Sequence, residues 1–159
     1  LEEVESFAEF AKRNNAVAST DVKSFEHLVC TEQLSRRLGF KVGEELIRVV
    51  RVRSLNGSAR QVDHGYFLES IAKGLTPEIA AKSIYNYLEH KRGVKVMASR
   101  RTVSVELAND EDCSYLDLGK YNCVAVMESQ SYTSDGILFE VTHARTHPEI
   151  FHYRVNSKR

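Results

Sequence analysis

Three arginines interrupt an apolar, β-branched run, "IRVVRVRSLNG", at residues 47–57. Such runs usually line a core, and cores exclude unpaired guanidinium groups. Side chains alternate along a strand, so Arg51 and Arg53 share a face with Ile47 and Val49 while Arg48 points the other way. Two guanidiniums two residues apart, at the end of an apolar face, make a fork suited to phosphate or carboxylate. A strand pair bonded to cross-strand acids would use the same residues without any ligand. The facing strand depends on the turn. A two-residue type I′ loop at Asn56-Gly57 puts Arg60, Val62 and His64 opposite the fork, whereas a three-residue loop with a bulge brings Asp63 there. Both registers fit the sequence.

Other candidate groups are weaker. His143 and His147 are four apart, but they fall at a strand end before Pro148 rather than on a helix, which argues against a metal site. No phosphate-binding glycine loop, nucleophile elbow or zinc-protease motif occurs, and no acid is singled out as a proton donor or acceptor. Ser83 and Tyr85 offer hydroxyls that could complete an anion pocket, although spacing alone leaves Tyr85 on the surface of a helix whose Ile84 and Tyr87 face the core. No cofactor is called for.

These residues must be positioned by a chain of 159 residues, 42% of them hydrophobic, enough for one domain with a real core. Basic and acidic residues balance at 22 each, which disfavours a free-standing nucleic-acid binder. Three cysteines without CxxC spacing indicate a reducing, cytoplasmic setting, and no apolar run is long enough to cross a bilayer. Helical spacing at 2–13 gives a short amphipathic helix within a linker region, residues 1–18, ahead of a domain at 19–159. The pattern then predicts a strand at 20–29, a short helix opened by Thr31, a hairpin of strands 45–54 and 59–68, and one helix over 77–91 with Thr76 as cap and Pro77 at its first position. The order then returns. A strand "SRRTVSVEL", a helix capped by Asn109 and a second hairpin through Ser134-Asp135-Gly136 follow, and residues 30–40 match 108–118 in pattern. Two such halves predict an α+β fold, an internally duplicated antiparallel sheet with helices packed on it.

In order and spacing, "LGFKVGEELIRVVRVRSLNG", "VDHGYFL", "SIYNYLE", "RRTVSVE", "YLDL" and "LFEVTHAR" resemble the effector-binding (UTRA) domain of GntR-type transcription regulators of the HutC subfamily, which shares its fold with chorismate lyase. The resemblance covers nearly the whole chain. It implies that Arg51 and Arg53 bind the anionic group of an effector, commonly a sugar phosphate, with Ser83 and Tyr85 assisting. It further implies contacts from Asp63 and Glu140 to sugar hydroxyls, and it carries Arg145 of "VTHAR" into the effector set. Asp63 stands where the family commonly has the longer Glu, and the proline usual after the hairpin turn is replaced by Ser58-Ala59. Where the family has R-G-D-[RK]-[YF], this chain reads His147-Pro148-Glu149-Ile150-Phe151.

Within the family, "SIYNYLE", "VSVE" and "VTHAR" are most similar to trehalose-operon repressors, which respond to trehalose 6-phosphate. By resemblance, operator DNA is reached only through an N-terminal winged helix-turn-helix not contained in this chain, and the domain forms a homodimer. Two other classes compete: an enzyme acting on a small carboxylate, like chorismate lyase, and a purely structural dimerisation module.

Overall fold

The computed structural model describes residues 7–153. Six strands form one antiparallel sheet: β1 Ala18–Val29, β2 Glu45–Leu55, β3 Ser58–Leu68, β4 Val96–Leu107, β5 Cys123–Thr133 and β6 Leu138–Thr146. Their spatial order is β1-β2-β3-β6-β5-β4. Each half of the sheet is therefore a strand, a short helix and a hairpin, and the halves meet where β3 pairs with β6. The repeat is regular in sequence. Its helix caps Thr31 and Asn109, and the strand starts Glu45 and Cys123, are each 78 residues apart. The duplicated antiparallel α+β architecture expected from the sequence is the one observed.

Helices cover both faces. α2 (Glu32–Leu38) and α5 (Asp110–Tyr115) occupy equivalent places in the two halves and pack on one face. Thr31 and Asn109 accept from the backbone N–H of Leu34 and Asp112, and Asp112 returns a bond to the Asn109 N–H in a capping box. On this side Val50, Val52, Val62, Val124 and Val126 close over Leu116 and Leu118, and Tyr66 with Val141 meets Leu38 and Phe40. The opposite face carries α1 (Phe7–Arg13), α3 (Pro77–Ala80) and α4 (Ile84–His90). Ile47, Val49 and Phe67 pack there against Ala80, Ile84 and Leu88. Residues 2–6 of the expected linker helix lie outside the described residues.

The single helix expected over 77–91 is a correction. Ser83 is extended (φ −146°, ψ 111°) and its hydroxyl accepts from the Asn86 N–H, so the residue caps a new helix instead of continuing the old one. The apolar spacing runs through the break because both short helices bury the same side.

The β2–β3 hairpin resolves the open register in an unexpected way. Asn56 and Gly57 both have positive φ (50° and 80°), as a two-residue type I′ turn requires, and Leu55 pairs with Ser58. The register then shifts between Arg53 and Ser54, leaving Arg60 as the extra residue of a bulge. Beyond it Arg53 faces Gln61 and Arg51 faces Asp63. Val62 and His64 are turned to the opposite face. The loop is tight, yet the bulge one step into the strand gives the parity that a longer loop would have given.

Candidate functional site

Cross-strand pairing carries the face of Arg51 and Arg53 across the sheet in rows. Arg53 leads through Gln61 and Thr146 to Ala125; Arg51 through Asp63 and Ala144 to Met127; Val49 through Gly65, Thr142 and Ser129 to Arg101; and Ile47 through Phe67 and Glu140 to Ser131. Above this floor stand Ser83, Ile84 and Tyr85 of the α3–α4 region, with Phe7 and Phe10 of α1 and Phe151 at the C-terminal side. Together they enclose a pocket of about 440 Å³, within the range typical of small-molecule sites.

The arginine fork is held from below. Arg51 and Arg53 reach the same oxygen of Asp63 at 3.4 and 3.5 Å, and the other oxygen accepts from the Gln61 amide at 2.6 Å. Arg51 also donates to the Ala80 carbonyl at 3.4 Å. The side chains are 12% and 20% exposed against 8% for Asp63. Two guanidiniums thus share one carboxylate at distances longer than the 2.7–2.9 Å of strong charge-assisted bonds. Burial pushes the Arg53 pKa down, opposed by Asp63 and reinforced by the neighbouring Arg51. The Arg53 Nε is buried with no acceptor among the described residues, and its guanidinium lies 5.0 Å from the ring centre of Phe7. Such a fork favours a further anion.

Next to it lies a polar group. Glu140 is buried at 3% exposure and accepts from the Tyr85 hydroxyl at 2.6 Å, and that hydroxyl is 3.3 Å from Ser131 Oγ. Burial raises the Glu140 pKa to about 6, against the lowering effect of the Tyr85 bond, Arg51 and Ser131. Burial, then the Glu140 charge, pushes the Tyr85 phenol well above its usual range. Tyr85 is 42% exposed, at the surface as helical spacing implies, but its hydroxyl points inward to Glu140.

Six of the seven expected site residues therefore meet: Arg51, Arg53, Asp63, Ser83, Tyr85 and Glu140 all line the pocket. Arg145 does not. It lies five residues after Glu140 on β6 and so on the other face, where Asp112 takes its Nε and Nη2 at 2.8 Å and Glu106 its Nη1. The Asp112 bond is the main cause of its raised pKa. Asp63 is also tied to the fork itself, not only free to face a ligand. His143 and His147 go to different partners, Glu128 at 3.1 Å and the Tyr121 ring at 5.1 Å. Among the described residues no cluster of three or more His, Cys, Asp or Glu is placed to hold a metal. The cysteines Cys30, Cys113 and Cys123 are unpaired, and no described helix is long and apolar enough to cross a membrane.

Gln61, Ser131, Arg101 and Phe7 were not read as site residues from the sequence. The duplication held one signal. A shift of 78 residues carries Arg51 and Arg53 onto Ser129 and Ser131; Ser129 lines the pocket from the second half, and Ser131 lies 3.3 Å from the Tyr85 hydroxyl.

Fold and site together define a duplicated α+β domain built around a pocket of small-molecule size with two arginines at one end. Comparisons with known proteins agree. The family model described as the UTRA domain matches residues 13–152. The HTH-type transcriptional regulator TreR of Bacillus subtilis is 28% identical over 148 residues, 93% of this chain and 62% of that protein. The transcriptional repressor NagR of the same organism is 21% identical over 146 residues, 92% of this chain and 59% of that protein. The chain thus spans about three fifths of the length of these relatives. The solved effector-binding domain of the B. subtilis trehalose repressor superposes with a TM-score of 0.80 at 27% identity, covering 89% of this chain and 98% of that one. PhnF from Mycobacterium smegmatis shares the fold, with a TM-score of 0.85 at 17% identity over 98% of this chain and 69% of that one. The chain belongs to the UTRA domain family, the effector-binding domains of GntR-type transcription regulators.

Proposed function

We propose that this domain senses a phosphorylated sugar in the cytoplasm, within the HutC subfamily, and that occupancy modulates DNA binding by a full-length dimer. The observation that carries the reading is the fork: two nearly buried arginines on one carboxylate, flooring a pocket whose other polar groups suit hydroxyls. A phosphate brings the second countercharge the pair calls for, and Tyr85, Glu140 and Asp63 provide hydrogen-bond partners for ring hydroxyls. Arg145 has no part in the site. The domain is taken as residues 19–159 with a linker region at 1–18. The likeness to the trehalose repressor favours trehalose 6-phosphate as the first compound to try. A sensor acts by preferring one conformational state of the regulator, so turnover is not required. The relatives named above are regulators, which favours binding over a lyase-like reaction.

The edge strand β4 supports a homodimer. Met97, Val105 and Leu107 are 63–75% exposed along it. A thermal-shift screen against sugar phosphates, the dephosphorylated sugars and chorismate tests the reading. Stabilisation that requires the phosphate is expected, and it grows with the logarithm of ligand concentration above Kd. A shift with chorismate alone, or none with any phosphate, overturns it.

A further inference from the structure

Arg101 is a cation in the pocket that the fork does not explain. It stands on β4, and its row runs through Ser129, Thr142 and Gly65 to Val49 on β2, so it shares the face of Arg51 and Arg53 at the far side of the sheet. Four strand spacings of about 4.8 Å separate β4 from β2, roughly 19 Å between backbones. The side chain lines the pocket and is close enough to lower the Tyr85 pKa, yet it makes no hydrogen bond or ion pair among the described residues. Between the two cationic ends lie Glu140, Tyr85 and Ser131, the groups best suited to hydroxyls.

We propose that Arg101 forms a distal subsite that binds the second ring of a phosphorylated disaccharide while the Arg51–Arg53 fork holds its phosphate. This rests on the reading of the pocket as a sugar-phosphate site and adds the length of the ligand. A guanidinium carries five N–H donors and no acceptor, so it matches ring and hydroxyl oxygens facing one direction. The fork and the central groups suffice for one phosphorylated ring. A ligand held by the fork that also meets Arg101 continues across β6 and β5 toward the edge. The α1 side of the pocket does not block that path, because its residues Phe7 and Phe10 belong to the fork end, where Phe7 covers Arg53.

The test is calorimetry on the 159-residue chain with trehalose 6-phosphate and glucose 6-phosphate, comparing wild type, Arg101→Ala and Arg53→Ala. Wild type is expected to bind the disaccharide phosphate at least tenfold more tightly. Arg101→Ala should lose about tenfold for the disaccharide phosphate and less than twofold for glucose 6-phosphate, with unchanged melting temperature and sedimentation. Arg53→Ala should weaken both. Equal effects of Arg101→Ala on the two ligands, or none on either, overturn the distal subsite while leaving the sugar-phosphate reading intact. Failure of wild type to bind any phosphorylated sugar overturns that reading and the subsite with it.

Discussion

Side-chain alternation decides which arginine of the opening run can meet a ligand. Arg48 faces the other side of the sheet, where it reaches Glu26 at 3.2 Å and lies over the Tyr66 ring. Arg53→Ala removes one arm of the fork, and a truncated bond to a charged group costs on the order of 1.5–3 kcal/mol. Calorimetry should therefore show sugar-phosphate affinity falling roughly 10- to 150-fold in that variant and less than about twofold in Arg48→Ala. Similar losses in the two would contradict the shared face of Arg51 and Arg53. The same alternation, applied to β6, separates Arg145 from Glu140, so that exclusion was already legible in their odd spacing. What alternation could not supply was the bulge at Arg60, which has no residue signature of its own.

Glu140 gives a pH signature at the same scale. Its folded pKa, about 6, lies above the ordinary carboxylate value of 4.5, so protonation is favoured in the folded state. The protonated form's advantage is complete below about pH 4.5 and is lost as pH rises through about 6. A shift of that size corresponds to on the order of 2 kcal/mol. Glu140→Gln, which keeps the shape without the charge, should gain stability relative to wild type between pH 4.5 and 7, and thermal melts across that range would show the gap opening. A gap independent of pH would mean that Glu140 is no harder to ionise in the fold than outside it.

Among the elements, β3 shows how closely the pocket floor is fitted. Gly65 sits on the site face between Asp63 and Phe67, and a Cβ there would lie 2.7 Å from the Phe67 ring. Phe67 is 1% exposed, so the ring has no free space into which to swing. Gly65→Ala should cost about 1–3 kcal/mol, read as a lower urea midpoint. Adding Phe67→Leu, which removes the obstructing ring edge, should restore part of it, and strictly additive losses would show that the two side chains do not meet. Strands, caps and the order of elements were readable because each has a local signal, as at Thr31, Asn109 and Asn56-Gly57. The α3–α4 break was not, because the apolar period continues through Ser83 and only the serine's own bond to the Asn86 N–H reveals the restart. That restart turns the Tyr85 hydroxyl toward Glu140, so the same local competition that hid the break also built half of the site.

Across the whole molecule, the duplicated halves place β1 and β4 at opposite edges of the sheet. Every residue of β4 after Val96 is exposed, including Val103, Val105 and Leu107. This exposed edge, in which Met97, Val103, Val105 and Leu107 alternate with polar and charged residues, offers its backbone groups for pairing, and a second copy suits it. Antiparallel pairing of two β4 strands about Val103 sets Arg100 of one copy opposite Glu106 of the other, so the strand's own charges complement each other. Sedimentation of the chain at micromolar concentration should show a dimer. Val105→Lys, which places like charges near the two-fold, should shift it to monomer while leaving the phosphate-dependent thermal shift in place. A monomeric wild type, or a Val105→Lys variant that remains dimeric, would move the interface away from β4. The pocket is bounded by Arg101 on this same strand, so an occupied site and a paired edge would share one element, and ligand affinity measured above and below the dimer's dissociation constant should differ if the two are coupled.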